Sequence, residues 1–149
     1  MPTIIRTTSS NIAFKNLVIL LDEVLREKDG EDYDFYAQHN TLENINHVVL
    51  CYQDGTSIGC GAFKELDADT IEIKRMFVHP DFRGQGIASS VLKELELWAN
   101  ELNYTNCVLE TGTNNPEAVA LYQKSGYKVI PNYGQYQNIE ASVCLQKMI

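Results

Sequence analysis

Residues 83–88, Arg-Gly-Gln-Gly-Ile-Ala, join a guanidinium and two glycines to the start of an apolar helical stripe. A strand that enters a glycine-bearing turn and then a helix aims several backbone N–H groups at one point, and the helix dipole adds partial positive charge there. That arrangement seats an anion. Gly84 and Gly86 can take positive φ and carry no Cβ, so a phosphate can approach the main chain, and Arg83 can add a charged donor. Gln85, Ile87, Ala88 and Ser89 complete the turn and its entry into the helix. On these residues alone, a plain strand-to-helix turn stands beside the anion seat as an alternative. A P-loop is a poor fit because no lysine follows Gly86, and a dinucleotide fingerprint is a poor fit because Ser89 stands where it needs glycine. His39, His47 and His79 lack metal-ligand spacing, so no metal is expected. No cysteine stands beside a suggestive histidine or helix start, which argues against a cysteine nucleophile.

The elements that must hold this turn are legible in the periodicity. "PTIIRTT" reads as a strand, followed by a helix capped by Ser9 or Ser10, with Leu17, Val18, Leu21, Val24 and Leu25 on one face. The polar stretch "KDGEDYDFYAQHN" is rich in aromatics and has room for a second short helix. Residues 48–63 are two β-rich runs joined through Asp54-Gly55, a dipeptide suited to a tight hairpin. "TIEIKRMFV" is a third strand, stopped at His79-Pro80. Ile87, Val91, Leu92, Leu95, Trp98 and Leu102 then form a helical stripe, with Lys93, Glu94, Glu96 and Glu101 on the wet side. "CVLET" is a strand, Asn115-Pro116-Glu117 opens a helix that Gly126 stops, and "YKVI" and "ASVCLQK" close the chain as strands. The order β-α-α-βββ-α-β-α-ββ predicts an α/β fold, a mixed sheet with helices on both faces.

With 149 residues and 44% hydrophobic content, the chain suits one domain over 1–149. Apolar runs such as Leu17–Leu21 fall far short of the roughly 20 residues that a bilayer span needs, so no membrane partner is expected. Cys51, Cys60, Cys107 and Cys144 form no C-x-x-C pair and read as reduced core thiols of a cytoplasmic protein. Twenty acidic against twelve basic residues, net charge −8, argue against a nucleic-acid binder and are compatible with a cationic small substrate.

The string "VHPDFRGQGIASSVLKELELWA" resembles the acetyl-CoA pyrophosphate segment of the GCN5-related N-acetyltransferases (GNAT), whose Q/R-x-x-G-x-G/A pattern is met by Arg83, Gly86 and Ala88. "NNPEAVALYQKSGYKVI" is similar to that family's N-x-x-A-x-x-L-Y-x-x-x-G-[FY] helix through Asn115, Ala118, Leu121, Tyr122, Gly126 and Tyr127. Two motifs in this order, with a strand and a helix between them, are more specific than either alone. The resemblance is strongest over residues 71–130 and implies a small stand-alone, bacterial-type member with a mostly antiparallel central sheet.

The resemblance implies direct acetyl transfer from acetyl-CoA to the amine of a small-molecule or peptide acceptor, without an acyl-enzyme. An alkyl ammonium with a pKa of about 10.4 must lose a proton before it attacks. The developing oxyanion needs a donor, and the departing thiolate benefits from a proton. By the resemblance, the donor is the backbone N–H of Val78, on the stretch Met76-Phe77-Val78 that also pairs with the pantetheine arm. The acid is Tyr122, and the base is Glu72 working through a water, with Glu110 next in line. Packing in the core is the alternative for Tyr122, and an ion pair with Lys74 or Arg75 is the alternative for Glu72. Asn115, Tyr122 and Lys124 flank the pantetheine or nucleotide end. The acceptor site is expected from Tyr33 and Tyr36, from Glu110, and from Tyr133 and Tyr136 on the loop between the last strands, where covering the core edge is the competing role. A homodimer through the last strands is compatible with this fold.

Overall fold

The computed structural model describes residues 2–30 and 45–149. The predicted second helix, and Tyr33 and Tyr36 with it, lie outside the described residues. Strands β1 (Thr3–Thr7), β2 (His47–Gln53), β3 (Thr56–Glu65), β4 (Thr70–Val78), β5 (Asn106–Gly112), β6 (Lys128–Ile130) and β7 (Ser142–Met148) form one sheet in the order β1-β2-β3-β4-β5-β7-β6. Every neighbouring pair is antiparallel except β4 and β5, which run parallel. Helices α1 (Ile12–Asp29), α2 (Ile87–Glu101) and α3 (Pro116–Lys124) cover the two faces. The expected α/β class, with its mostly antiparallel sheet, is the one observed.

Alternation along the strands assigns the faces. Val48 and Leu50 pack under α1 with Phe14, Leu17, Val18 and Leu21. Val49, with Ile71 and Ile73, packs under α2 with Val91, Leu92 and Leu95. Each such side chain contributes on the order of 1.5–3 kcal/mol when buried, which fixes both helices to the sheet. The β2–β3 turn has Asp54 and Gly55 at φ 52° and 81°, the positive pair that a type I′ hairpin requires.

Two local expectations are corrected. The cap of α1 is Asn11, whose side-chain oxygen accepts from the N–H groups of Ala13 at 2.8 Å and Phe14 at 3.2 Å. Ser10 instead pairs with the Thr8 hydroxyl at 2.7 Å, and Ser9 does not cap the helix. Glu96 is not on a wet face, because the C-terminal half of the chain covers that side of α2. It is 9% exposed and accepts from the Tyr127 hydroxyl at 2.8 Å and from Lys147 at 2.9 Å.

Two irregularities of β4 shape the molecule. Cys60 faces Phe77 while Ala62 faces Lys74, so Arg75 and Met76 together oppose Gly61 in a β-bulge. Arg75 takes φ 57° there. Further, β4 pairs with β5 over only three positions, Thr70↔Asn106, Ile71↔Cys107 and Glu72↔Val108. Beyond them β4 follows β3 to Val78 and β5 follows β7 to Gly112, so the sheet opens into a split.

Candidate active site

The bulge changes which residues face which side. Before it, Ile71 and Ile73 face α2 while Glu72 and Lys74 face the α1 side; after it, Met76 packs with the α2 cluster and Phe77 with the α1 cluster. An extra residue in one strand inverts the alternation in this way. Past the bulge the ladder is regular, and the N–H of His79 donates to the Ile58 carbonyl at 2.8 Å. By antiparallel alternation the N–H and C=O of Val78 point away from β3, into the split. The Phe77 side chain is buried under α1, and its backbone polar groups face β3.

The glycine turn stands at the mouth of the split. Gly84 and Gly86 have φ 80° and 78°, the left-handed region that favours glycine, and a Cβ on either would meet nothing within 4 Å. The turn is therefore open toward solvent. Gly86 is the N-cap of α2, and among the described residues no side chain caps the first N–H groups of that helix. Ile87 anchors the turn in the core, Ala88 is half-buried, and Gln85 and Ser89 are exposed. Arg83 donates its Nε–H to the Val78 carbonyl at 3.0 Å and lies over the Phe77 ring. It ties the turn to the end of β4.

A cavity of about 150 Å³ lies on the other side of the bulge, between α1, β4, β5 and α3. Met76, Glu72, Glu110, Asn115, Tyr122 and Tyr136 all line it. Glu72 is 1% exposed; its Oε2 accepts from the Tyr133 hydroxyl at 2.5 Å, and its Oε1 has no hydrogen-bond partner among the described residues. The ammonium groups of Lys64 and Lys74 are each 3.9 Å from Oε1, so the ion pair weighed as the alternative for Glu72 is present with Lys74, while Arg75 pairs with Asp22 instead. Glu110 is half-buried and accepts from the Ser142 hydroxyl at 2.6 Å. Burial holds the Tyr122, Tyr133 and Tyr136 hydroxyls well above the usual phenol range; the Glu72 charge adds to this at Tyr133, and those of Glu110 and Glu72 add to it at Tyr136. All three stay protonated donors at neutral pH. Desolvation pushes Lys74 down from the usual amine range, against the pull of Glu72.

Asn115 spends its side-chain oxygen on the Ala118 N–H, capping α3. Tyr122 is 7% exposed, with its ring edge against Tyr127, so it has a core contact as well as a place on the cavity. Lys124 is apart from these groups, in a second groove with Ser89, Lys93, Ser125 and Lys147. Tyr136 is buried on a short 3-10 turn, Gly134–Tyr136, and Tyr133 joins the cavity through Glu72. Sequence reasoning passed over Arg75, Lys74 and Lys28 as cavity-lining groups. The available signal was two adjacent cations inside a strand whose other residues are mostly apolar.

The α/β fold thus has a sheet split between its two parallel strands, with a glycine turn feeding a helix at the mouth. Residues 14–127 match the model of the acetyltransferase (GNAT) family. The chain is 29% identical to an IAA acetyltransferase of Azospirillum brasilense, with 99% of each chain covered. It is 32% identical to an uncharacterized N-acetyltransferase of Schizosaccharomyces pombe, over 77% of this chain and 76% of the relative. A GNAT family acetyltransferase from Elizabethkingia anophelis, solved with acetyl-CoA bound, has the same fold at a TM-score of 0.71 and 23% identity, covering 99% of this chain and 98% of that one. The chain belongs to the GNAT acetyltransferase family and is an N-acetyltransferase that uses acetyl-CoA. The open positive-φ glycines, the uncapped first N–H groups of α2 and the Val78 N–H directed into the split fit such a donor.

Proposed function

We propose that the protein transfers the acetyl group of acetyl-CoA directly to a primary amine that enters the cavity beside Glu72. The observation that carries this reading is the meeting, in one cavity next to the split, of a carboxylate with one oxygen not hydrogen-bonded by any described residue and a tyrosine held protonated. Residues 83–89 hold the pyrophosphate on backbone N–H groups, Met76 and Val78 line the pantetheine path, and Lys124 lies toward the nucleotide end. When bound, acetyl-CoA supplies the acetyl group as a thioester. Glu72 Oε1 accepts the proton that the acceptor amine must lose, directly or through a water, with Glu110 close enough to share that work. The Val78 N–H donates to the carbonyl oxygen that gains charge during attack, and Tyr122 gives a proton to the departing sulfur.

A cysteine relay is disfavoured by the thiols themselves. All four are buried and free, and burial pushes Cys60 and Cys107 up to about 12 and Cys144 to about 11, so the nucleophilic thiolate is negligible at neutral pH. Reduced core thiols also support a cytoplasmic setting.

The test is a calorimetric titration with acetyl-CoA of the parent and of Gly86→Trp, followed by turnover of a primary-amine panel. One-to-one binding by the parent, lost in a folded Gly86→Trp, is expected. Tyr122→Phe should then lower kcat by about 10²-fold while acetyl-CoA still binds. Absence of acetyl-CoA binding by the parent, or of turnover with any amine, overturns this reading.

A further inference from the structure

Arg75 is an unusual residue to find at the centre of a strand. It occupies the bulge with φ 57°, a backbone conformation that costs a non-glycine residue. Its side chain is 3% exposed, and Nη2 donates to Asp22 Oδ1 at 2.7 Å. Nε and Nη1 are buried and have no hydrogen-bond partner among the described residues. A guanidinium carries five donors in a rigid fork, and leaving two of its nitrogens dry and unpaired is strongly unfavourable. Native structures retain such groups where something else completes them.

The surroundings name the missing partner. Arg75 lines the same cavity as Glu72 and Glu110, and so do Lys74 and Lys28. A chain of net charge −8 therefore gathers three of its twelve cations around about 150 Å³. Lys74 is within 3.9 Å of Glu72 and Lys28 is exposed on α1, so neither matches the dry fork of Arg75. Anionic character is what a guanidinium fork recognises best, and a carboxylate can accept from an unpaired Arg75 nitrogen. A cavity of this volume holds a molecule about the size of benzene, so the amine and the anion must lie within a few bonds of each other.

We infer that the acceptor is an amino acid or the amino-acid end of a larger molecule, with its amine at Glu72 and its carboxylate at Arg75. This rests on the reading that the cavity beside Glu72 takes the acceptor. Arg75 is then a specificity-determining residue. It rejects simple amines because binding them leaves its nitrogens unpaired, and Asp22 holds the guanidinium in place from α1.

The experiment compares matched pairs, L-alanine with L-alaninamide and β-alanine with β-alaninamide, by calorimetric binding with and without CoA and by kcat/KM with acetyl-CoA. The amide's amine sheds its proton more readily, so a preference for the acid originates in the protein. The parent should favour the acid by at least about tenfold, the scale of one hydrogen-bonded charge pair. In Arg75→Gln the acid-to-amide ratio should fall to about one, with Arg75→Lys in between. Circular dichroism and acetyl-CoA affinity report whether each variant is folded. Equal binding of acid and amide by the parent, or no binding of either, overturns the inference whatever the variants do. Turnover of acids and amides alike leaves acetyl transfer to amines standing and removes only the carboxylate. Acid-selective binding without any turnover does the reverse.

Discussion

The contact between Tyr133 and Glu72 decides what the carboxylate can do. The hydroxyl binds Oε2 at 2.5 Å and burial keeps it protonated, so the carboxylate is oriented with Oε1 as the oxygen left to accept. Glu72→Gln removes the acceptor and should lower kcat by on the order of 10²–10⁴. Glu110→Gln should cost less, because Glu110 already accepts the Ser142 hydroxyl. Steady-state rates of the two variants at saturating acetyl-CoA separate them, and a larger loss in Glu110→Gln would move the base to β5. Tyr133→Phe should lower kcat by about tenfold while leaving the KM for acetyl-CoA in place, since Tyr133 acts through Glu72. A change confined to that KM would put Tyr133 on the donor instead. The role of Tyr133 was not legible in the sequence, where it read as a loop tyrosine, because the contact joins positions 61 residues apart.

Helix starts and turns carried most of what was readable. Asp54-Gly55 announces its hairpin because few residues tolerate two consecutive positive φ angles. The Ser-Ser pair before α1 was misleading, since capping depends on where the chain bends and the bend comes at Asn11. Asn11→Ala should therefore cost about 1 kcal/mol in urea unfolding, and Ser10→Ala less than about 0.5 kcal/mol. At the start of α2 the same argument takes another form. A Cβ at Gly86 meets no atom, so Gly86→Ala adds only left-handed strain, about 1–2 kcal/mol in the same assay. A loss well above that would mean that the turn is packed. The bulge in β4 left no trace in the sequence because an arginine, not a glycine, takes the positive φ; with the bulge went the placing of Arg75 beside the cavity that Glu72 and Lys74 line.

The whole sheet was legible as a class and not as a shape. Periodicity located its strands, but the split between β4 and β5 depends on which neighbour each strand follows, and that is set by long-range pairing. The four buried thiols give the folded molecule a limit at high pH. Cys60 and Cys107 hold their protons up to about 12 in the core, against an ordinary value of 9.0. The folded state binds these protons more tightly, so their stability is whole below pH 9 and is lost as pH climbs from 9 toward 12. The unfolding free energy from urea titrations should fall between pH 8.5 and 10.5 by on the order of 1–2 kcal/mol per thiol, and Cys107→Ala should flatten that slope. The split sets the second property of the whole. Only three residue pairs join β4 to β5, so the two parts of the sheet are weakly stitched beside the cleft. A donor that touches the α2 turn, the end of β4 and the α3 groove bridges them and binds the folded chain alone. At about 100 times its dissociation constant such a ligand adds about 2.7 kcal/mol, a rise in Tm of roughly 5–10 °C for a chain of this length. Thermal melts with and without acetyl-CoA should show that rise in the parent and none in Gly86→Trp. An equal rise in both would put the donor somewhere other than the glycine turn.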